Sequence, residues 1–265
     1  MFKTIGICGT GNMGKAMLKG IIGAGLIAPE NVFIYDSYTA GAEALKAELG
    51  VTLVSSAAEL VKKAEAVIFA LKPYVIGNVL NEIKGDVGQT IVISIAAGVT
   101  IERLAKNLEA GTKIIRVMPN TPALVGEGMA ALAPNSQVTD EEAQAANAVF
   151  NSFGKAELVD EGMIDVVCGL SGSGPAFVYL FIEALADGAV LEGMPRAMAY
   201  KFAAQTVLGA AKMVLETGEH PGLLKDNVSS PGGTTIEGVS VLEEKGFRSA
   251  AIDAVVAATE KSKSM

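Results

Sequence analysis

The chain has 265 residues, a formal net charge of −8, 50% apolar residues, 5% aromatics, 30 Gly and no Trp. That length supports one large domain or two modest ones with real cores, and the apolar content excludes general disorder. The acidic balance, with no Lys/Arg cluster against it, excludes nucleic acid as a partner and disfavours an anionic membrane surface.

From Lys3 to about residue 160, short β-rich runs alternate with helical patterns. Strands are expected at Thr4–Cys8, Val32–Tyr35, Val51–Val54, Ala66–Leu71, Thr90–Ile95, Lys113–Met118, Met129–Ala133 and Ala156–Val159. Such alternation means βαβ units and a parallel sheet, and the continuous apolar runs Val67–Leu71 and Ile91–Ile95 suit strands covered by helices on both faces. Gly50 is expected to end one helix, Pro73 to end a strand, and Thr139-Asp-Glu-Glu142 to open a helix.

Gly9-Thr10-Gly11-Asn12-Met13-Gly14 follows the first strand directly and opens a helix, the context that a dinucleotide fingerprint requires. The first glycine permits the turn, the second lets the backbone approach a pyrophosphate, and the third lets helix and strand pack closely. Asp36 ends the second strand about 20 residues on, the spacing of a ribose-binding carboxylate. It accepts from a 2′-OH and repels a 2′-phosphate, which leans toward NADH; Ser37-Tyr38-Thr39 keep hydroxyls available for a phosphate, so NADPH stays open. Ala70-Leu71-Lys72-Pro73 and Ala96-Ala97-Gly98 fall at carboxyl ends of strands, where open parallel sheets bind ligands; each also reads as a plain turn.

Past residue 160 the strand signal stops, and helical patterns fill 161–170, 175–192, 195–217, 221–228, 234–244 and 246–262. The expected architecture is therefore an α/β, doubly wound, Rossmann-type sheet over 1–160 followed by an all-helical domain over 161–265. The charge-free run Val166–Ile182 approaches membrane-spanning length, but its Gly, Ser and Pro residues read as a turn before a buried helix. Phe177-Val-Tyr-Leu-Phe-Ile182 makes that helix apolar around its circumference, more than one helical layer can bury. It is expected to pack against a second subunit across a two-fold axis, the alternative being a central core helix of one chain.

Two distant cysteines, Cys8 and Cys168, make neither a metal-ligand spacing nor a disulfide framework, so both read as small buried hydrophobes and no metal is expected. A reducing cytoplasm fits. No signal peptide is expected, since the first apolar segment runs into the glycine motif, Lys15 and Lys19.

Lys225-Asp-Asn-Val-Ser-Ser-Pro-Gly-Gly-Thr-Thr235 concentrates hydroxyls and glycines ahead of a helical pattern. Thr234 with Glu237 makes a capping-box pattern, placing unpaired helix N–H groups beside Ser229, Ser230 and Thr235. A carboxylate fits there; an ordinary capped turn has the same composition. A nicotinamide enzyme acting on an alcohol or ketone needs a proton-moving His, Lys or Tyr. The only histidine, His220, lies in a His-Pro-Gly turn, and Lys201 and Tyr179 lie in helical patterns as a surface charge and a core aromatic. That scarcity makes sense if the acceptor is a cyclic imine, whose protonated C=N takes hydride with one hydroxyl to hold the nitrogen.

Gly9–Gly14 (GTGNMG), Lys72-Pro73, Ala96–Thr100, Met118-Pro-Asn-Thr-Pro122, Gly169-Leu-Ser-Gly-Ser-Gly-Pro175 and Asp226–Thr235 together resemble the Δ1-pyrroline-5-carboxylate reductase family over nearly the whole chain. The resemblance implies reduction of the ring C=N of 1-pyrroline-5-carboxylate by NAD(P)H to L-proline, the last step of proline synthesis. It also implies a helical domain interlocked in a homodimer, with rings of dimers in some members. Thr235 matches the threonine that meets the imine nitrogen; Ser230, Gly233 and the Thr234 backbone match the substrate-carboxylate contacts. Asn227 matches a cofactor contact from the helical domain, and Glu161 a substrate-side acid. The sequence departs from NADPH-favouring relatives at Asp36, where they carry a small polar residue, and at Ala57, where some have Asn. Two other readings stay open: a β-hydroxyacid dehydrogenase, for which Lys201 would have to serve as the catalytic lysine, and a non-catalytic dinucleotide sensor.

Overall fold

A computed structural model describes all residues, 1–265. By its contacts the chain forms two units, Met1–Ser173 with Ala257–Met265, and Gly174–Val256.

In the first unit β1 (Ile5–Cys8), α1 (Asn12–Gly23), β2 (Val32–Tyr35), α2 (Thr39–Leu49), β3 (Thr52–Leu53), α3 (Ala57–Lys63), β4 (Ala66–Phe69), α4 (Pro73–Glu82), β5 (Ile91–Ser94), α5 (Ile101–Ala105) and β6 (Ile114–Met118) follow one another. After a 3-10 turn at Thr121–Val125 come β7 (Gly128–Pro134), α6 (Asp140–Asn151) and β8 (Gly154–Leu158). One sheet holds all eight strands in the order β3-β2-β1-β4-β5-β6-β7-β8. Its first six have the doubly wound 3-2-1-4-5-6 order and are all parallel.

The sheet departs from the all-parallel expectation at β7, which runs antiparallel to β6 while β8 is parallel to β7. The reason is the linker. A parallel neighbour needs a crossover of a dozen or more residues, and the 3-10 turn between β6 and β7 is too short to make one.

Alternation along each strand sends side chains to two separate cores. Ile5, Ile7, Ile68, Ile93 and Ile115 join Met17, Leu18 and Ile21 of α1 and Val149 and Phe150 of α6. Val67, Phe69 and Val92 join Leu60 of α3, Ile76 and Leu80 of α4 and Leu104 of α5 on the opposite face. Helix limits follow the expected chemistry: Gly50 closes α2 in the left-handed conformation, and Thr139 with Glu142 forms a complete capping box on α6.

By contacts, residues 161–173 group with the sheet, on which they pack. α7 (Ile164–Val167) places Ile164 against Ala131 and Ala133 of β7. Residues Cys168–Gly172, expected to break the helix, continue it as a π-turn. Cys168 is half-buried there rather than buried, whereas Cys8 is buried as expected.

The second unit contains α8 (Gly174–Leu191), α9 (Arg196–Thr217), α10 (Pro221–Asn227), α11 (Thr234–Glu244) and most of α12 (Phe247–Lys263). Its buried cluster consists only of Ala186, Ala199 and Ala203, with Ile182, Ala189, Val190 and Met194 packed around it. α8 buries Ala186 alone, so it is not a core helix of one chain. By length and composition, the helical run Glu161–Leu191 would also suffice to cross a membrane.

Candidate active site

The glycine turn between β1 and α1 is fixed by main-chain bonds from Gly9 N to the Tyr35 carbonyl and from Ala70 N to the Cys8 carbonyl, both 2.8 Å. The three glycines have different reasons to be glycine. Gly9 has φ +98°, and a Cβ there would lie 2.6 Å from the Ala70 carbonyl oxygen; at Gly14 it would lie 2.0 Å from the Gly9 carbonyl oxygen. A Cβ on Gly11 would meet nothing within 4 Å, so the backbone there is open to approach from outside. Gly11 also caps α1 without a side-chain bond, which leaves first-turn N–H groups free for an anion.

Asp36 stands at the end of β2 and is already engaged. One oxygen accepts from Thr10 N at 2.6 Å and Thr10 Oγ1 at 2.9 Å, the other from Tyr38 N at 2.9 Å. Together with burial, its charge helps push the Cys8 thiol up to about 12, burial being the larger cause.

A cavity of about 600 Å³ opens at the carboxyl ends of the strands. Of the residues expected to contact a cofactor, Gly11, Asn12, Met13, Ala70, Leu71, Lys72, Pro73 and Ala97 line it, while Ala96 is buried beside it. Gly9 and Gly14 shape the turn, and Thr10 donates to Asp36 at the end of β2. Sequence reasoning missed Ile95, Met118, Pro119, Thr121 and Leu124, which complete the wall. The signal was present: Met118-Pro-Asn-Thr-Pro122 follows a strand end just as Lys72-Pro73 does. Free N–H groups, an open Gly11 and an acid at the end of β2 fit a bound dinucleotide.

In the helical unit, the N-cap of α11 lies one residue earlier than expected. Gly233 is the N-cap with no side-chain bond, and Thr234 lies inside the helix, so the expected Thr234/Glu237 capping box does not form. Gly233 N donates to the Ser230 carbonyl at 3.0 Å, and a Cβ on Gly233 would come 2.3 Å from Ser230 Oγ. The glycine is thus what lets the Ser230 hydroxyl stand beside the uncapped helix end. Thr234 and Thr235 are exposed in the first turn. Ser229 takes no part, since its hydroxyl donates to the Lys225 carbonyl at 2.7 Å. Asn227 ends α10, and His220 Nδ1 accepts from Gly222 N at 3.0 Å, a helix cap rather than a proton donor.

Glu161 lies in the first unit, where its Oε1 accepts from Ile101 N at 2.7 Å and from Arg116 Nη1 at 3.2 Å. Arg116, 3% exposed, also donates to Asp165 Oδ1 at 3.4 Å, and Ser262 Oγ donates to the same oxygen at 2.7 Å. This buried cation on β6 gave no signal in the sequence, where it reads as one polar residue in an apolar strand.

The 3-2-1-4-5-6 sheet, its glycine turn and the cavity at its carboxyl edge define a dinucleotide-binding α/β protein. Residues 161–265 match the family described as pyrroline-5-carboxylate reductase dimerisation, and residues 4–98 the family described as NADP oxidoreductase, coenzyme F420-dependent. The pyrroline-5-carboxylate reductase of Escherichia coli (strain K12) is 52% identical over 266 residues, covering 100% of this chain and 99% of the relative. That of Methanosarcina acetivorans is 48% identical over 98% of this chain and 97% of the relative. The structure superposes on a pyrroline-5-carboxylate reductase from Coxiella burnetii with TM-score 0.95 at 34% identity, covering 99% and 98% of the two chains. It superposes on the Plasmodium falciparum enzyme, solved with NADP bound, with TM-score 0.87 at 37% identity, covering 99% and 97%. The chain belongs to the pyrroline-5-carboxylate reductase family.

Proposed function

We propose that the chain transfers hydride from NAD(P)H to the ring imine of 1-pyrroline-5-carboxylate, releasing L-proline. The observation that carries this reading is the uncapped start of α11 beside Ser230, Gly233, Thr234 and Thr235, a neutral carboxylate cradle with one hydroxyl left for a ring nitrogen.

When bound, the nicotinamide supplies the hydride; the chain binds and orients. Free N–H groups at the start of α1 hold the pyrophosphate over Gly11. Ser230 Oγ and the first-turn N–H groups at Thr234 hold the substrate carboxylate, and the Thr235 hydroxyl holds the imine nitrogen. The imine carbon gains the hydride, the C=N π electrons move to nitrogen, and the protonated nitrogen becomes the ring amine. No dedicated catalytic His or Lys is required. Glu161 is assigned as a substrate-side acid by the family resemblance; within its own unit its Oε1 is held by Ile101 N and Arg116 Nη1. Asn227 supplies a cofactor contact from the helical unit.

Asp36 inclines the site toward NADH, since a 2′-phosphate would face a carboxylate. Asp36→Ser is expected to raise the kcat/KM ratio of NADPH to NADH; an unchanged ratio removes Asp36 from cofactor choice. The exposed apolar surfaces of α8 and α9 are assigned to a homodimer, alone or in a ring of dimers, rather than to a bilayer, and no nucleic-acid role is proposed. Two unpaired cysteines suit the cytoplasm.

The test is oxidation of NADH and, separately, NADPH with pyrroline-5-carboxylate as acceptor. Substrate-dependent oxidation is expected with both. Intact dinucleotide binding without any oxidation would overturn the reading and return weight to a hydroxyacid dehydrogenase or a sensor.

A further inference from the structure

Asn120 stands between two residues that line the dinucleotide cavity, Pro119 and Thr121, yet is itself buried. Its amide is used at both ends. Oδ1 accepts from Met129 N of β7 at 2.8 Å, and Nδ2 donates to the Ser171 carbonyl in the π-turn at 3.0 Å. That carbonyl has a particular need. In an α-helix it would accept from the N–H of residue 175, and residue 175 is Pro, which has none. Asn120 supplies the donor that Pro175 lacks.

The π-turn touches the same wall a second time. A Cβ on Gly172 would lie 2.6 Å from Met118 Cε, so the methyl end of a cavity-lining side chain rests on a bare Cα of the turn. π-turns inside helices recur at functional sites, and this one is tied to the cavity wall by one hydrogen bond and one close contact. The wall it meets is specific. In a doubly wound sheet, the first three strands form one mononucleotide half and the next three the other. The glycine turn and Asp36 belong to the first half, with the ribose of the adenosine. Met118 ends β6, Pro119 and Thr121 follow it, and all three belong to the nicotinamide half.

We propose that Asn120 is a positioning residue for hydride transfer: by clamping the π-turn to β7 it fixes the wall against which the nicotinamide half of the cofactor lies. It leaves the adenosine half alone. This rests on the reductase reading, and its primary readout is independent of substrate.

The experiment compares NADH with ADP-ribose, which has the adenosine and pyrophosphate but no nicotinamide. Two variants are used: Asn120→Ala, and Asn120→Asp, which keeps the acceptor toward Met129 and loses the donor toward Ser171. ADP-ribose affinity is expected to stay unchanged, NADH affinity to fall severalfold, and kcat to fall by about tenfold at temperatures where the variants remain folded. Adding Pro175→Ala to Asn120→Ala returns an N–H to the helix, so lost melting temperature should recover while kcat does not. A fall in melting temperature alone, with kcat and NADH affinity intact, overturns the proposal, as does equal weakening of NADH and ADP-ribose. Should the Asn120 variants fail to fold, Gly172→Ala presses on Met118 from the other side and carries the same comparison with the same outcomes. If the unmodified protein does not turn over pyrroline-5-carboxylate, the substrate assignment fails while the comparison of NADH with ADP-ribose still decides the role of Asn120.

Discussion

The sheet unit and the helical unit treat apolar residues in opposite ways. In the first, strand residues such as Ile5, Ile7, Ile68 and Phe69 reach 0% exposure, and each face of the sheet has its own core. In the second, the buried cluster is three alanines, while Leu180, Phe202, Leu215 and Ile252 are 68%, 61%, 80% and 62% exposed. Burying a large apolar side chain contributes roughly 1.5–3 kcal/mol, so the helical unit leaves most of its available stabilisation unclaimed within one chain. One unit is complete alone. The other leaves large apolar side chains exposed, and residues 161–265 match a family described as a dimerisation domain.

The sharpest way to break that contrast is to exchange the damage. Phe69→Ala empties a site in the sheet core and is expected to cost about 3–5 kcal/mol in denaturant unfolding at any protein concentration. Leu180→Asp puts a charge on the exposed face of α8. It should weaken self-association by roughly 3 kcal/mol, more than a hundredfold, in sedimentation equilibrium while the core around Phe69 is untouched. Equal effects of Leu180→Asp at low and high protein concentration would mean that α8 is not an interface helix.

Thr235→Ala probes chemistry rather than packing. As the residue is exposed, stability should hold while kcat/KM falls about tenfold or more, corresponding to roughly 1.4 kcal/mol of lost transition-state binding; unaltered kinetics would remove Thr235 from the mechanism.

The smallest effect is confined to alkaline solution. Because burial and Asp36 raise the folded Cys8 thiol from 9.0 to about 12, its contribution is full below pH 9.0 and is lost as pH rises toward about 12. Stability should therefore decline more steeply over that window than in Cys8→Ala, and parallel curves for the two proteins would show that the thiol stays protonated in both states or ionises in both.

Much of the sheet unit was legible in the sequence because its signals are local: continuous apolar runs alternating with helical patterns, a glycine turn after a strand, Thr139 with Glu142 at a helix start. What was missed depended on distant partners. Gly169-Leu-Ser-Gly-Ser-Gly-Pro175 carries every local sign of a break, yet Cys168–Gly172 winds as a π-turn whose Ser171 carbonyl accepts from an asparagine about fifty residues earlier. Arg116 is a polar residue in an apolar strand, and the partners that account for it, Glu161 and Asp165, lie 45 and 49 residues on. The capping box at Thr234 failed for a local reason that pattern alone does not weigh. The extended backbone of Gly233 takes the cap position, and the helix end stays open. The helix start was therefore placed within one residue, but with the wrong cap.

The Arg116 cluster also bears on how the molecule can be taken apart. The chain leaves the sheet unit after Ser173 and re-enters it at Ala257, and Asp165, held by Arg116, receives Ser262 from the returning segment. The helical unit is thus an insertion rather than an appendage. Cutting after Ser173 would remove a piece of the sheet unit itself and strand Asp165 without its hydroxyl partner, so a protease nick in the helical unit should leave both fragments held together until the returning segment is stripped away.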